Sequence, residues 1–126
     1  SGVKSVEEYR TWFDWRVNQT YRLSSYIRLT TLPDEPIFIW GDEPYVYALS
    51  KRLPVGRYTV AYHVIDFNGF AETMAAWDKH QPKLVAVMTY ESRPFPELDT
   101  RLATDYVLVE TIDRAKIYRL INGTTP

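Results

Sequence analysis

Charged side chains follow each of the first three predicted strands in this 126-residue chain. They are Asp42 and Glu43 after the first strand, Asp66 after the second, and Glu91 and Arg93 after the third. The carboxyl ends of parallel strands lie at one edge of an open α/β sheet, which is where ligands usually bind. We therefore expect these side chains to converge on one edge, where the carboxylates could bind a cation or a sugar hydroxyl.

The turn after the first strand also has a purely structural interpretation. Asp42 is suited to cap the following helix, Glu43 to stabilise its positive end, and Pro44 to occupy its first turn. Gly41 stands alone, and neither glycine-rich phosphate-binding pattern, G-x-G-x-x-G or G-x-x-x-x-G-K-[ST], is present. The turn therefore disfavours nucleotide binding of those types.

The two histidines, His63 and His80, fall at the end of a predicted strand and of a predicted helix. His63 could form a small metal or acid/base site with Asp66 or with Glu91 if the strand ends are adjacent. Otherwise His63 is a loop residue, and His80 complements the negative end of its helix. The chain has no cysteine and no G-x-S-x-G elbow, so thiolate catalysis and cysteine-bound zinc are excluded. We predict no catalytic residue, no bound metal and no cofactor.

Two arginines, Arg52 and Arg57, flank the loop 53–56 at the opposite end of the predicted sheet. Their guanidinium groups could bind an anion or contact a membrane-embedded partner. The alternative is that both are solvated surface residues.

The first predicted helix carries more aromatic residues than one core-facing stripe needs. The aromatic residues are Tyr9, Trp12, Phe13, Trp15, Tyr21 and Tyr26, and the interleaved arginines are Arg10, Arg16, Arg22 and Arg28. One interpretation is that an aromatic face covers the sheet while the arginine stems lie along apolar surface. The other is that Trp12 and Trp15 face a bilayer interface or a membrane-embedded partner, together with Arg10 and Arg16. In that case we expect the chain to self-associate weakly or to bind anionic vesicles in a salt-dependent way.

Composition indicates a single domain over residues 1–126, because the length is near the usual domain size and 45% of the residues are hydrophobic. With 15 basic and 16 acidic residues the net charge is −1, so no broad positive field would attract nucleic acid. No apolar run approaches the roughly 20 residues of a membrane-spanning helix.

The predicted elements follow the order αβαβαβαββ. Helices are predicted at Val6–Thr31, Asp42–Arg52, Asp66–His80 and Glu97–Ala103, and strands at Ile37–Trp40, Arg57–His63, Lys83–Thr89, Tyr106–Ile112 and Lys116–Ile121. This alternation implies a mostly parallel sheet with helices on both faces. We expect a three-layer, Rossmann-like α/β sandwich with a C-terminal antiparallel hairpin and a long N-terminal helix.

The segment around the first strand has a recognisable pattern. It consists of an apolar strand ending in Trp40-Gly41, then Pro44 and Tyr47 on a helix, then Arg52 and, after a small loop, Arg57-Tyr58. This pattern resembles the soluble C-terminal domain of polytopic glycosyltransferases that use lipid-phosphate sugars, the superfamily of protein O-mannosyltransferases and aminoarabinose transferases. The similarity covers roughly residues 20–121.

The resemblance implies a non-catalytic accessory domain on the outer face of the cytoplasmic membrane, in a parent chain whose catalytic aspartate and donor site lie elsewhere. It implies the transmembrane region of the same chain as a partner, with lipid headgroups or acceptor substrate as further partners. Two other classes stay open. One is a free-standing α/β enzyme or ligand binder that uses the edge with Asp42, His63 and Glu91, and the other is a structural protein-interaction module.

Overall fold

The computed structural model describes residues 5–56, 61–66, 68–88 and 93–121, which form an α/β domain with an open four-stranded sheet. The helices are α1 (Val6–Thr30), α2 (Pro44–Ser50), α3 (Ala61–Asp66), α4 (Phe70–Lys79) and α5 (Pro96–Asp105). The strands are β1 (Ile37–Trp40), β2 (Leu84–Met88), β3 (Tyr106–Ile112) and β4 (Ala115–Leu120).

Helix α1 begins and ends where the sequence predicts, to within one residue. Its start is fixed by a capping box: the Glu8 amide donates to Ser5 Oγ at 3.1 Å, and the Ser5 amide donates to Glu8 Oε2 at 3.4 Å. Glu7 and Glu8 also place negative charge at the positive end of the helix. At the other end Thr31 is extended, and its amide donates to the Ile27 carbonyl at 3.1 Å.

The sheet is mixed, with strand order β1-β2-β4-β3. β1 and β2 are parallel, with Ile37 opposite Leu84, whereas β4 is antiparallel to both of its neighbours. The predicted C-terminal hairpin is therefore confirmed, but among the described strands the sheet is not mostly parallel. The reason is that β4 of the hairpin pairs directly with β2 and runs antiparallel to it. A mostly parallel sheet would need a parallel strand at that position.

The predicted strand Arg57–His63 is wrong over its last three residues, which belong to α3; residues 57–60 lie outside the described part of the chain. Ala61 and Val64 are buried at a spacing of three, which is a helical and not a strand period. The predicted helix Asp66–His80 is correspondingly divided. Asn68 has a left-handed φ of 50°, which ends α3 before α4 begins.

Side chains alternate along the central strands and bury both faces of the sheet. Ile37, Ile39 and Ala86 belong to a core with Leu23 and Ile27 of α1. The opposite face carries Phe38, Trp40 and Val85, which pack with Met74 and Trp77 of α4 and with Leu98 and Leu102 of α5. Aromatic contacts fix this second core, because Phe38 lies 5.3 Å from Trp77 and Trp40 lies 4.8 Å from Phe95 between ring centroids. The sheet thus has helices on both faces.

Candidate functional site

The carboxyl ends of β1 and β2 meet, and the structure joins two of the predicted edge residues there. Arg93 Nη2 lies 3.2 Å from Asp42 Oδ2, and both side chains are partly exposed. The Arg93 carbonyl also accepts a hydrogen bond of 2.9 Å from the Trp40 indole nitrogen, which ties the segment after β2 to the end of β1. Asp42 and Arg93 are therefore paired with each other at this edge.

Glu43 does not extend this edge as an exposed carboxylate. Its side chain is buried, and it forms an ion pair with Arg16 of α1. Glu43 is also the N-cap residue of α2, although its side chain makes no capping hydrogen bond. The interpretation of Asp42 as the helix cap is therefore wrong, because the helix begins one residue later than that role requires.

The other predicted edge residues are only partly described. His63 and Asp66 belong to the backbone of α3, and Glu91 lies outside the described residues. His80 is an exposed residue at the end of α4, and its amide donates to the Ala76 carbonyl at 3.0 Å. Within the described residues, no group of three His, Cys, Asp or Glu side chains could hold a metal ion.

Arg52 is an internal anchor and not an exposed cation. Its guanidinium donates to the Thr31 hydroxyl and carbonyl at 2.8 Å each, and to the carbonyls of Ser50, Lys51 and Arg28 at 3.2 to 3.3 Å. These acceptors are at the C-terminal ends of α1 and α2, where carbonyl groups have no helical partner. Arg52 is therefore buried and not a solvated surface residue, and Arg57 lies outside the described range.

The N-terminal half of α1 is exposed although it continues a core-facing stripe. Leu23 and Ile27 of that stripe are fully buried against the sheet, with 0% exposure. Tyr9, Trp12 and Arg16 continue the same helical face at spacings of three and four residues, yet Tyr9 is 58% exposed and Trp12 is 40% exposed. Aromatic residues of the kind that usually pack in a core are thus exposed in the N-terminal half of α1.

An aromatic groove lies between this part of α1 and helix α2. We use "aromatic groove" for the concave surface, about 660 Å³ in volume, whose apolar lining is Tyr9, Trp12, Val17, Tyr21, Tyr45 and Leu49. The Arg16–Glu43 ion pair contributes to the same surface. The Arg16 guanidinium also lies 5.1 Å from the Trp12 ring centroid, which holds the indole against the ion pair.

Of the four residues predicted to face a membrane, Trp12, Trp15 and Arg16 lie within about 100° of one another around the axis of α1, whereas Arg10 does not. Trp12 lines the aromatic groove, and Arg16 is paired with Glu43. Trp15 is half-buried beside Trp12, and the Arg114 guanidinium lies 5.3 Å from its ring centroid. Arg10 precedes Trp12 by two residues, so it is rotated by about 200° around the helix axis and lies away from the groove.

The sequence interpretation missed the contribution of α2 to this surface. Tyr45 and Leu49 are four residues apart and therefore lie on one face of α2, and the buried Tyr47 lies on the opposite face. Tyr45 is 71% exposed, so the helix carries an outward apolar side chain next to its inward ones. The four-residue spacing of Tyr45 and Leu49 is the signal in the sequence that could have predicted this apolar face of α2.

Comparison with known proteins adds no relative: no family model, no curated protein and no solved structure matches the chain. None of the helices in the described part of the chain is long and apolar enough to cross a membrane.

Proposed function

We propose that this chain is a non-catalytic accessory domain of a membrane-embedded glycosyltransferase that uses a polyprenyl-phosphate sugar donor. The aromatic groove is the surface that docks the domain on the membrane-embedded part of its parent, on the outer face of the cytoplasmic membrane. The observation that carries this proposal is the α1 stripe, which is buried at Leu23 and Ile27 and exposed at Tyr9 and Trp12.

The chemistry of the aromatic groove suits a partner near a membrane interface. Tyrosine and tryptophan combine a large apolar ring with one polar atom. Both are therefore enriched at membrane–water interfaces, where one end of the side chain contacts apolar groups and the other contacts water. Tyr9, Tyr21 and Tyr45 are all more than half exposed at the groove. An apolar surface of this kind, contributed by two helices, favours association with another chain or with lipid.

The paired charges at the strand edge support an accessory role. Asp42 is engaged by Arg93 and Glu43 by Arg16, so these carboxylates are held by cations of the same chain. A general acid or base must be within hydrogen-bond reach of the proton that it transfers. Cysteine, a G-x-S-x-G elbow and the two glycine-rich phosphate-binding patterns are also missing from the sequence. The helices on both faces of the sheet are also compatible with a three-layer, Rossmann-like sandwich, and our proposal includes this fold.

The test uses the complete reading frame that encodes this chain. We expect several apolar segments of about 20 residues before Ser5. In membranes, the full protein should transfer sugar from a polyprenyl-phosphate donor, whereas the purified 126-residue chain should show no turnover. A reading frame without such segments, or turnover by the chain alone that Asp42→Asn abolishes, would contradict the proposal.

A matched pair of variants tests the docking surface in the same assay. The double variant Trp12→Ser, Tyr45→Ser removes two rings of the aromatic groove, and we expect sugar transfer to fall about tenfold or more through lost docking energy. Leu53→Ser is the control, because Leu53 is 78% exposed and lies outside the groove. Equal activity of the groove variant and the control would show that the groove is not used.

A second candidate function rests on the Asp42–Arg93 pair. Its two partly exposed side chains could orient a small polar ligand such as a sugar hydroxyl at the strand edge. Saturable binding of a monosaccharide to the 126-residue chain, lost in Asp42→Asn and kept in Trp12→Ser, would favour this alternative over the accessory role.

A further inference from the structure

The N-terminal half of α1 has a second surface beside the aromatic groove. A notch of about 750 Å³ lies on it, with Glu7 and Glu8 at one end and Arg114 at the other. Thr11, Trp12 and Trp15 line the notch between these ends. Both glutamates, Thr11 and Arg114 are exposed, and Trp15 is half-buried under the Arg114 guanidinium.

The two charged ends make this surface complementary to itself. Glu8 and Trp15 are seven residues apart, which is about 10 Å along a helix. The midpoint falls between Thr11 and Trp12. If a second α1 lies antiparallel across that midpoint, the acidic end of each notch meets the arginine end of the other, whereas a parallel arrangement would bring like charges together.

We propose that the notch binds the notch of a second copy of this chain, with the two α1 helices antiparallel and a two-fold axis near Thr11. Such an isologous contact uses the same surface on both copies, so every favourable contact occurs twice. Thr11 is small and would let the helices approach, and the exposed part of each Trp15 ring would be covered. The contact is short for a stable interface, so we expect a dissociation constant in the micromolar range or weaker.

Charge favours a second copy over a lipid surface as the occupant of this notch. Glu7 and Glu8 would repel the anionic headgroups that basic segments attract. The Arg114 guanidinium at the other end has its complement in those same two carboxylates. Trp12 lines both the notch and the aromatic groove, but Glu7, Glu8 and Arg114 are not part of the groove lining, so this inference does not depend on the proposed function.

A charge-exchange experiment tests the dimer by sedimentation equilibrium at low salt. One variant is Glu7→Lys, Glu8→Gln, in which glutamine can keep the capping box with Ser5. The other is Arg114→Glu. Each variant alone should raise the dissociation constant of the dimer about tenfold or more, because attraction becomes repulsion at both symmetric contacts. An equimolar mixture should recover a heterodimer, because both contacts then join opposite charges again.

Two controls keep the result specific to the notch. Glu97→Lys changes an exposed acid in the first turn of α5, and it should leave the dissociation constant unchanged. Tyr45→Ser removes a ring of the aromatic groove and should also leave the dimer intact. A wild type that stays monomeric to millimolar concentration, single variants as tight as wild type, or a mixture without recovery would each overturn the proposal. Loss of the dimer in Tyr45→Ser alone would move the interface to the groove and also overturn it.

Discussion

Removing one buried hydroxyl, in Tyr47→Phe, should measurably destabilise the outer edge of β1. The Tyr47 oxygen accepts a hydrogen bond of 2.9 Å from the Ile39 amide. Tyr47 is 5% exposed and Ile39 is 2% exposed, so water cannot readily replace this acceptor. Among the described residues, the neighbouring segment 53–55 pairs with Ile37, whose amide donates to the Leu53 carbonyl at 3.3 Å and whose carbonyl accepts from the Val55 amide at 3.2 Å.

The magnitude follows from the cost of a buried donor without a partner. Phenylalanine keeps the ring and its packing but leaves the Ile39 amide unsatisfied, which costs about 1–3 kcal/mol. A value of about 2 kcal/mol corresponds to a roughly 30-fold change in the unfolding equilibrium. For a domain of this size it should lower the melting temperature by about 5–10 °C.

Urea unfolding followed by tryptophan fluorescence and circular dichroism measures this change. Tyr45→Phe is the matched control, because Tyr45 lies on the same helix and is 71% exposed. We expect the control to stay within about 0.5 kcal/mol of wild type. A free energy of unfolding for Tyr47→Phe equal to that of Tyr45→Phe would refute the reasoning that the hydroxyl completes the edge of β1.

Three further predictions concern stability. Trp40→Ala should cost about 3–5 kcal/mol in urea unfolding, because the ring is 2% exposed within the aromatic core; a loss below about 1 kcal/mol would contradict its core role. Arg52→Met should lower the free energy of unfolding by about 2–3 kcal/mol, because the carbonyls that end α1 and α2 lose a charged donor. The control Arg28→Met, at an exposed position, should be near neutral. Equal losses in the two variants would show that Arg52 is not an anchor. Burial raises the pKa of Tyr47 and of Tyr106, the latter with a further contribution from the charge of Asp105. Above pH 10, near the ordinary tyrosine pKa, the unfolded chain therefore releases protons that the folded chain retains, so the free energy of unfolding should fall as the pH rises further. This fall should be less steep in Tyr106→Phe. A slope that the substitution does not change would contradict this cause.

Local patterns predicted most helices and strands correctly because their signals lie within a few residues. The capping box at Ser5 marks the start of α1, and the apolar run that becomes β1 has the expected bounds. Val6–Thr30 as a single helix follows from the absence of proline and glycine over its length. These signals do not depend on what the elements later pack against.

The strand order and the roles of the arginines could not be predicted in the same way. The position of β4 beside β2 depends on long-range pairing, which leaves no periodic trace in the sequence. Arg52 lies between Lys51 and Leu53 in the loop after α2, and only the fold shows that its guanidinium meets the end of α1. The convergence of Asp42 and Arg93 was predictable from the parallel β1–β2 pair, whereas the burial of Glu43 under Arg16 required the position of α1.

Photocrosslinking from the aromatic groove tests the docking proposal most directly. A benzoylphenylalanine in place of Tyr45, in the full reading frame expressed in membranes, should crosslink to the membrane-embedded part of the same chain or to lipid. The same probe at Leu53, which is 78% exposed and outside the groove, should crosslink much less. Equal yields at the two positions, or crosslinks from position 45 to soluble proteins alone, would contradict the proposal that the groove docks this domain on a membrane-embedded enzyme.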